Sequence, residues 1–131
     1  MTAKDFVMLN ARRSKTACYC SNQDDEYSIY NAVDEAVNEG YEFFLFCAES
    51  VDGLKFAQQV FLRKKKQSGN KPDKIILVAV VSDERFTDNK NEEFRNEFFQ
   101  VVEKSDFFVD LKSEDLRCCE KFIISKSSKI I

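Results

Sequence analysis

Three carboxylates, Glu49, Asp52 and Asp83, are the side chains of this 131-residue sequence best placed for acid–base work. Each follows or closely trails an apolar run, and a carboxylate pair gathered in one crevice can give and take protons. Asp52 has a second reading as the cap of the helix that opens beside it. Arg12, Arg13 and Lys15 form the other chemical cluster. Arginine binds phosphate bidentately, whereas a solvated basic loop would do nothing of the kind. Cys18-x-Cys20 and Cys118-Cys119 offer thiolates, but neither spacing is the C-x₂-C of a zinc site, so no metal and no cofactor is expected. Cys47 is a candidate nucleophile if a helix N-terminus lies beside it. The sequence contains no histidine, which removes every histidine-dependent triad and most metal centres.

These residues must be positioned by alternating strands and helices. The stretch GYEFFLFCAESVDGLKFA, from Gly40 to Ala57, reads as a buried strand over 42–46 that stops at Cys47-Ala48-Glu49-Ser50 and feeds a helix over 51–66. In open α/β sheets such a junction is a ligand site, because the helix N–H groups point into the crevice above the carboxyl end of the strand. Residues 5–9, Asp-Phe-Val-Met-Leu, are expected to form the first strand, so Arg12 and Arg13 would follow it at the same edge. Ile29, Ala32, Val33, Ala36 and Val37 make one helical face, with Asp24 or Asp25 capping its start and Gly40 its end. Residues 74–81 are apolar at successive positions, as in a parallel strand buried on both faces. A helix over 90–104, a strand over 106–110, a helix including Ser113 and Cys119, and a strand from Lys129 complete the pattern. The expected fold is α/β: a single Rossmann-like domain over 1–131, with a mostly parallel sheet of about five strands and helices on both faces.

Composition narrows the function classes. A net charge of −3 does not favour wholesale nucleic-acid binding. No apolar run approaches the roughly 20 residues of a membrane span, so no membrane partner is expected. The first residues lack the apolar centre of a signal peptide. Five cysteines without an export signal point to reduced thiols and a cytoplasmic location.

The order of the segments resembles the SLOG superfamily, the Rossmann-like group of LOG phosphoribohydrolases and DprA/SMF DNA-processing proteins. The nearest likeness is to its small YpsA/YoqJ-type branch, DUF1273. The resemblance is carried by EAVNEGYEFFLFCAESVDGLKFA, by KIILVAVVSDERFTDNKNEEFRNEFFQVVEKSDFFVDL and by CEKFIISKSSKII. The family motif after the first strand is matched with Asn10-Ala11-Arg12-Arg13, and the glycine-bearing motif after the second with the segment from Phe46 to Asp52. Lys126-Ser127-Ser128 is similar to a third, Lys-Ser-Asp, motif. The departures are substantial. Cys47, Ser50 and Ala11 stand where the family has glycine, and Glu49 puts a negative charge where a phosphate would sit. The Pro-Gly-Gly-x-Gly-Thr motif of LOG enzymes is absent. The resemblance implies a nucleotide-type pocket and association through helices as a homodimer or larger homo-oligomer. Adjacent Phe98 and Phe99 fit the second point, since both cannot face one core.

The expected function is therefore a binding module for a nucleotide-like small molecule, without strong catalysis. The expected site is the crevice lined by Arg12, Arg13, Cys47, Ala48, Glu49, Ser50, Asp52, Ser82 and Asp83. Two alternatives belong to other classes. One is a phage- or mobile-element-borne interaction protein that sequesters a host protein or other component. The other is a phosphoribohydrolase-like enzyme working through Glu49, Asp52 or Asp83.

Overall fold

The computed structural model describes residues 5–6, 12–20, 25–66, 74–113, 115 and 117–131. Five strands form one all-parallel sheet in the order β4-β3-β2-β1-β5. They are β1 (Thr16–Tyr19), β2 (Phe43–Cys47), β3 (Ile76–Val81), β4 (Phe107–Asp110) and β5 (Lys129–Ile130). Four helices connect them: α1 (Glu26–Asn38), α2 (Val51–Lys65), α3 (Glu92–Lys104) and α4 (Cys118–Ser125). The expected Rossmann-like α/β class is the class observed.

The side chains of β2 divide the core in two. Phe44 and Phe46 face the larger layer, where Ile29 and Val33 of α1, Leu54 and Phe56 of α2, and Phe98 and Val101 of α3 pack together. Phe43 and Leu45 face the smaller layer, under Cys119 and Ile123 of α4. Alternation on a strand puts successive side chains on opposite faces, so an uninterrupted apolar run is what a strand covered on both sides requires. β3 meets the same condition with five consecutive buried residues, Leu77 to Val81. Thr16 pairs with Phe43, Phe43 with Ile76, and Val78 with Phe107, so all strand starts share one edge.

The helix ends follow local rules. Asp25 Oδ1 accepts from the Ser28 N–H at 2.7 Å and caps α1, and Gly40 leaves that helix with φ +99°. Ser50 Oγ accepts from the Gly53 N–H at 2.9 Å and caps α2. Asn91 does the same for α3 through the Phe94 N–H at 2.8 Å.

The first strand differs from the sequence expectation. Asp5 and Phe6 are helical, and residues 7–9 lie outside the described residues. Phe6 packs against Phe122 of α4, with ring centroids 5.6 Å apart. The strand is instead Thr16-Ala-Cys-Tyr19, buried at every position between β2 and β5. A second difference is that α4 begins at Cys118 rather than near Ser113.

Because Phe44 lies on the middle strand with no solvent exposure, Phe44→Ala removes a ring that the surrounding helices cannot collapse to replace. The expected loss is about 3–5 kcal/mol of unfolding free energy, read from urea denaturation of the two proteins.

Candidate functional site

The carboxyl edge of the sheet is organised around the end of β2. After Cys47 the chain stays beside β3 for one more residue, with the Ala48 N–H donating to the Val80 carbonyl at 2.9 Å. It then turns through Glu49 into extended Ser50 and the first turn of α2. A side chain at Gly53 would overlap the Cys47 carbonyl oxygen, so only glycine lets the helix start this close to the strand end.

Glu49 is held across the crevice. Its Oε1 accepts from the Ser82 Oγ at 2.6 Å and also from the Ser82 N–H. Ser82 is buried, and its carbonyl accepts from the Ser113 N–H at 2.8 Å, which draws the segment after β4 to the same place. One carboxylate thus ties the ends of β2 and β3 together.

Asp83 is fixed differently. It caps the 3-10 turn Glu84–Asn89 by accepting from the Arg85 N–H at 2.9 Å, and it takes the Arg85 guanidinium at 2.7 Å from Nη2 to Oδ2. Hydrogen bonding from the Arg85 side chain, then from its backbone, lowers the Asp83 pKa to about 2, with the positive charge of Lys112 helping. Lys112 has a left-handed backbone, φ +52°, and its N–H donates to Asp110 Oδ1 at 2.9 Å.

Seven of the nine expected site residues lie at this edge: Cys47, Ala48, Glu49, Ser50, Asp52, Ser82 and Asp83. Asp52 sits in the first turn of α2, but the cap is Ser50, not Asp52. Arg12 and Arg13 lie at the opposite edge, because they precede β1 instead of following a strand. The Arg12 carbonyl accepts from Thr16 Oγ1 at 2.7 Å, and neighbouring Lys15 is 3.6 Å from Glu42 ahead of β2. Four strand residues span about 13 Å, so the arginine pair and Glu49 do not share a crevice. Among the described residues at the carboxyl edge, Arg85 and Lys112 are cations beside the ends of β3 and β4 that the expected site does not include. Their signal was position: each comes two residues after an aspartate, at the end of a strand.

The strand order adds a further feature. From β1 the chain steps outward through β2, β3 and β4, then returns to place β5 on the other side of β1. The direction therefore reverses between β1 and β5, the location at which open α/β sheets often seat ligands. Cys20 stands there, directly after β1.

Surface concavity also occurs away from this edge. A groove of about 410 Å³ runs between α1 and α2, lined by Glu26, Tyr27, Tyr30, Gln59, Leu62 and Lys66. Lys66 Nζ lies 5.0 Å from the Tyr30 ring centroid, so the groove floor already holds a cation–π contact.

Among the described residues no group of three or more cysteine, aspartate or glutamate side chains is arranged to hold a metal ion, and no helix is long and apolar enough to cross a membrane. Compared with known proteins, the chain matches no family model and no curated sequence.

The Asp83–Arg85 geometry has a pH signature. A folded pKa below the ordinary 3.8 means that the aspartate contributes stability above pH 3.8, and that this contribution is lost as pH falls toward about 2. An NMR titration of the Asp83 carboxyl carbon is expected to give a midpoint near 2, and Arg85→Ala should return it toward the ordinary value.

Proposed function

We propose that the chain binds a nucleotide-related ligand at the carboxyl edge of a SLOG-like scaffold and performs no strong catalysis. The observation that carries this reading is Glu49, whose carboxylate is oriented by two donors from Ser82 beside the capped start of α2. An oriented carboxylate repels a bare phosphate and accepts from a hydroxyl. The vicinal hydroxyls of a ribose match it, while Lys112 and the Arg85–Asp83 pair provide polar contacts farther along the edge.

The same engagements argue against acid–base chemistry. Glu49 serves a structural hydrogen-bond network, and Asp83 is committed to Arg85 as an ion. With no histidine in the sequence, a further proton-transfer partner would have to be another carboxylate, a lysine, a tyrosine or a thiol.

The test is native mass spectrometry of the freshly purified protein for a co-purifying nucleotide, followed by calorimetry with that nucleotide or with a panel of nucleoside monophosphates. Glu49→Gln keeps the size of the side chain but removes its charge. It is expected to weaken binding by about tenfold or more, the loss of one charge-assisted hydrogen bond. Arg12→Ala and Arg13→Ala should leave affinity unchanged. Failure of the whole panel to bind, or indifference to Glu49→Gln, overturns this reading.

A second reading concerns self-association. Phe98 is buried against Phe86 and Phe108, while its neighbour Phe99 is 57% exposed on the outer side of α3. An exposed aromatic beside a buried one suits an interface. Phe99→Ser is expected to convert a homo-oligomer to monomer in light scattering while the chain stays folded by circular dichroism. A wild-type protein that is monomeric at high concentration contradicts it.

A further inference from the structure

Four of the five cysteines gather on the α4 face of the sheet. Cys18 and Cys20 point to that face from β1 and its end, Cys47 points there from β2, and Cys119 packs down from α4. All five are free thiols. Since Tyr19 is in register with Phe46, the next step along both strands sets Cys20 beside Cys47. Cys119 Sγ lies 3.2 Å from the Val80 carbonyl, to which it donates. The sulfurs of Cys18 and Cys20 are 3.7 Å apart. Cys18 is fully buried, whereas Cys20 reaches partial exposure at the strand end.

We propose that Cys18 and Cys20 form a redox-active dithiol that exchanges with low-molecular-weight disulfides. Residues two apart on a strand are separated by about 6.6 Å, within the Cα spacing that a disulfide spans but at its long end. Closing the sulfurs from 3.7 Å to a bond requires the two β-carbons to draw together, and Cys20, one residue beyond the end of β1, is the partner whose backbone must shift; the strain left in such a bridge keeps it reducible.

The order of events follows from exposure. An incoming disulfide RSSR meets Cys20 first. The Cys20 sulfur attacks one sulfur of RSSR, the S–S bond breaks, and one RSH leaves with a proton. Cys18 then attacks the Cys20 sulfur of the mixed disulfide and expels the second RSH. Two protein thiols are oxidised to one disulfide, RSSR is reduced to two thiols, and the two thiol protons leave with them.

Exposure makes Cys20 the sulfur that meets the disulfide, while the local electrostatics favour the thiolate on Cys18, the resolving sulfur. A hydrogen bond from Cys20 holds the Cys18 thiol below the ordinary thiol range; burial opposes it, and the Ser127 hydroxyl adds to the lowering. The same contact with Cys18 raises Cys20, so Cys20 attacks only after its proton passes to Cys18, and Cys18 gives that proton up again when it resolves the mixed disulfide. Cys119 is raised by its hydrogen bond with Cys47 and by burial, which keeps it a thiol and out of the exchange.

The test uses the full reduced chain in glutathione–glutathione disulfide buffers of increasing oxidising strength. Samples are quenched with iodoacetamide and the peptides mapped by tandem mass spectrometry. The expected product is a peptide lighter by two hydrogens, with the link between Cys18 and Cys20, fully reversed by dithiothreitol. Cys47→Ser should leave that product unchanged. Cys20→Ser should slow reaction with the disulfide by about tenfold or more, because only the buried sulfur of the pair remains. The proposal is overturned if Cys18 and Cys20 both remain alkylated in the most oxidising buffer. It is also overturned if the link joins Cys20 to Cys47. Because the wild type and Cys47→Ser carry this distinction, a Cys20→Ser protein that fails to fold does not rescue the idea.

Discussion

The contact between the first turn of α2 and the carbonyl of Cys47 is the constraint on which the rest of the site depends. No side chain fits at Gly53, so the helix can begin directly against the strand end. Ser50 then closes the first turn by capping the Gly53 N–H. This short junction leaves Glu49 at a fixed point above β3, where Ser82 offers both a hydroxyl and an N–H. A longer or looser connection would release that carboxylate into solvent, where its attachment to the neighbouring strand would have to compete with water and with lost conformational entropy.

The two edges of the sheet use charge for different ends. At the amino edge, ion pairs staple returning helices and strand starts. Lys64 Nζ is 2.8 Å from Asp106, whose carboxylate also accepts from the Leu77 N–H at 2.8 Å. Lys129 lies 3.3 Å from Glu39, and Glu42 is shared between Lys15 and Lys74. Exposed pairs of this kind are individually worth about 0–1 kcal/mol, so they set register more than they supply stability. At the carboxyl edge the acidic groups are drawn into turns and caps, with Glu49 on Ser82 and Asp83 on Arg85. That edge is polar, preorganised and built from short loops. These are the features that make the ends of parallel strands recurrent ligand sites.

Much of this arrangement was legible in the sequence where one signal dominated. β2 and β3 were visible because a strand covered on both faces must be apolar at consecutive positions. The helices were visible because their buried faces recur with helical period. The junction at Cys47–Asp52 was visible because an apolar run ended in small and polar residues. β1 was not visible, since Thr-Ala-Cys-Tyr is too short and too weakly apolar to stand out from the polar stretch around it. Its burial comes from β2 and β5 on either side, which is tertiary information. Phe6 misled for the converse reason: an apolar residue near the start of the chain packs on α4 rather than pairing in the sheet. That single misplacement moved Arg12 and Arg13 to the wrong edge. Glu49 was read as a charge that spoils a phosphate site, and its bond to Ser82 could not be inferred because it links residues 33 positions apart.

The direct test of the proposed nucleotide site is a two-dimensional amide NMR titration of the labelled full chain with a nucleoside monophosphate. A carboxyl-edge site predicts that the largest shifts fall on the amides from Cys47 to Asp52 and on Ser82, Asp83 and Lys112, with little change at Arg13, Lys15 and Glu42. Shifts concentrated at the amino edge, or along the groove of Tyr27, Tyr30 and Leu62, would contradict the account.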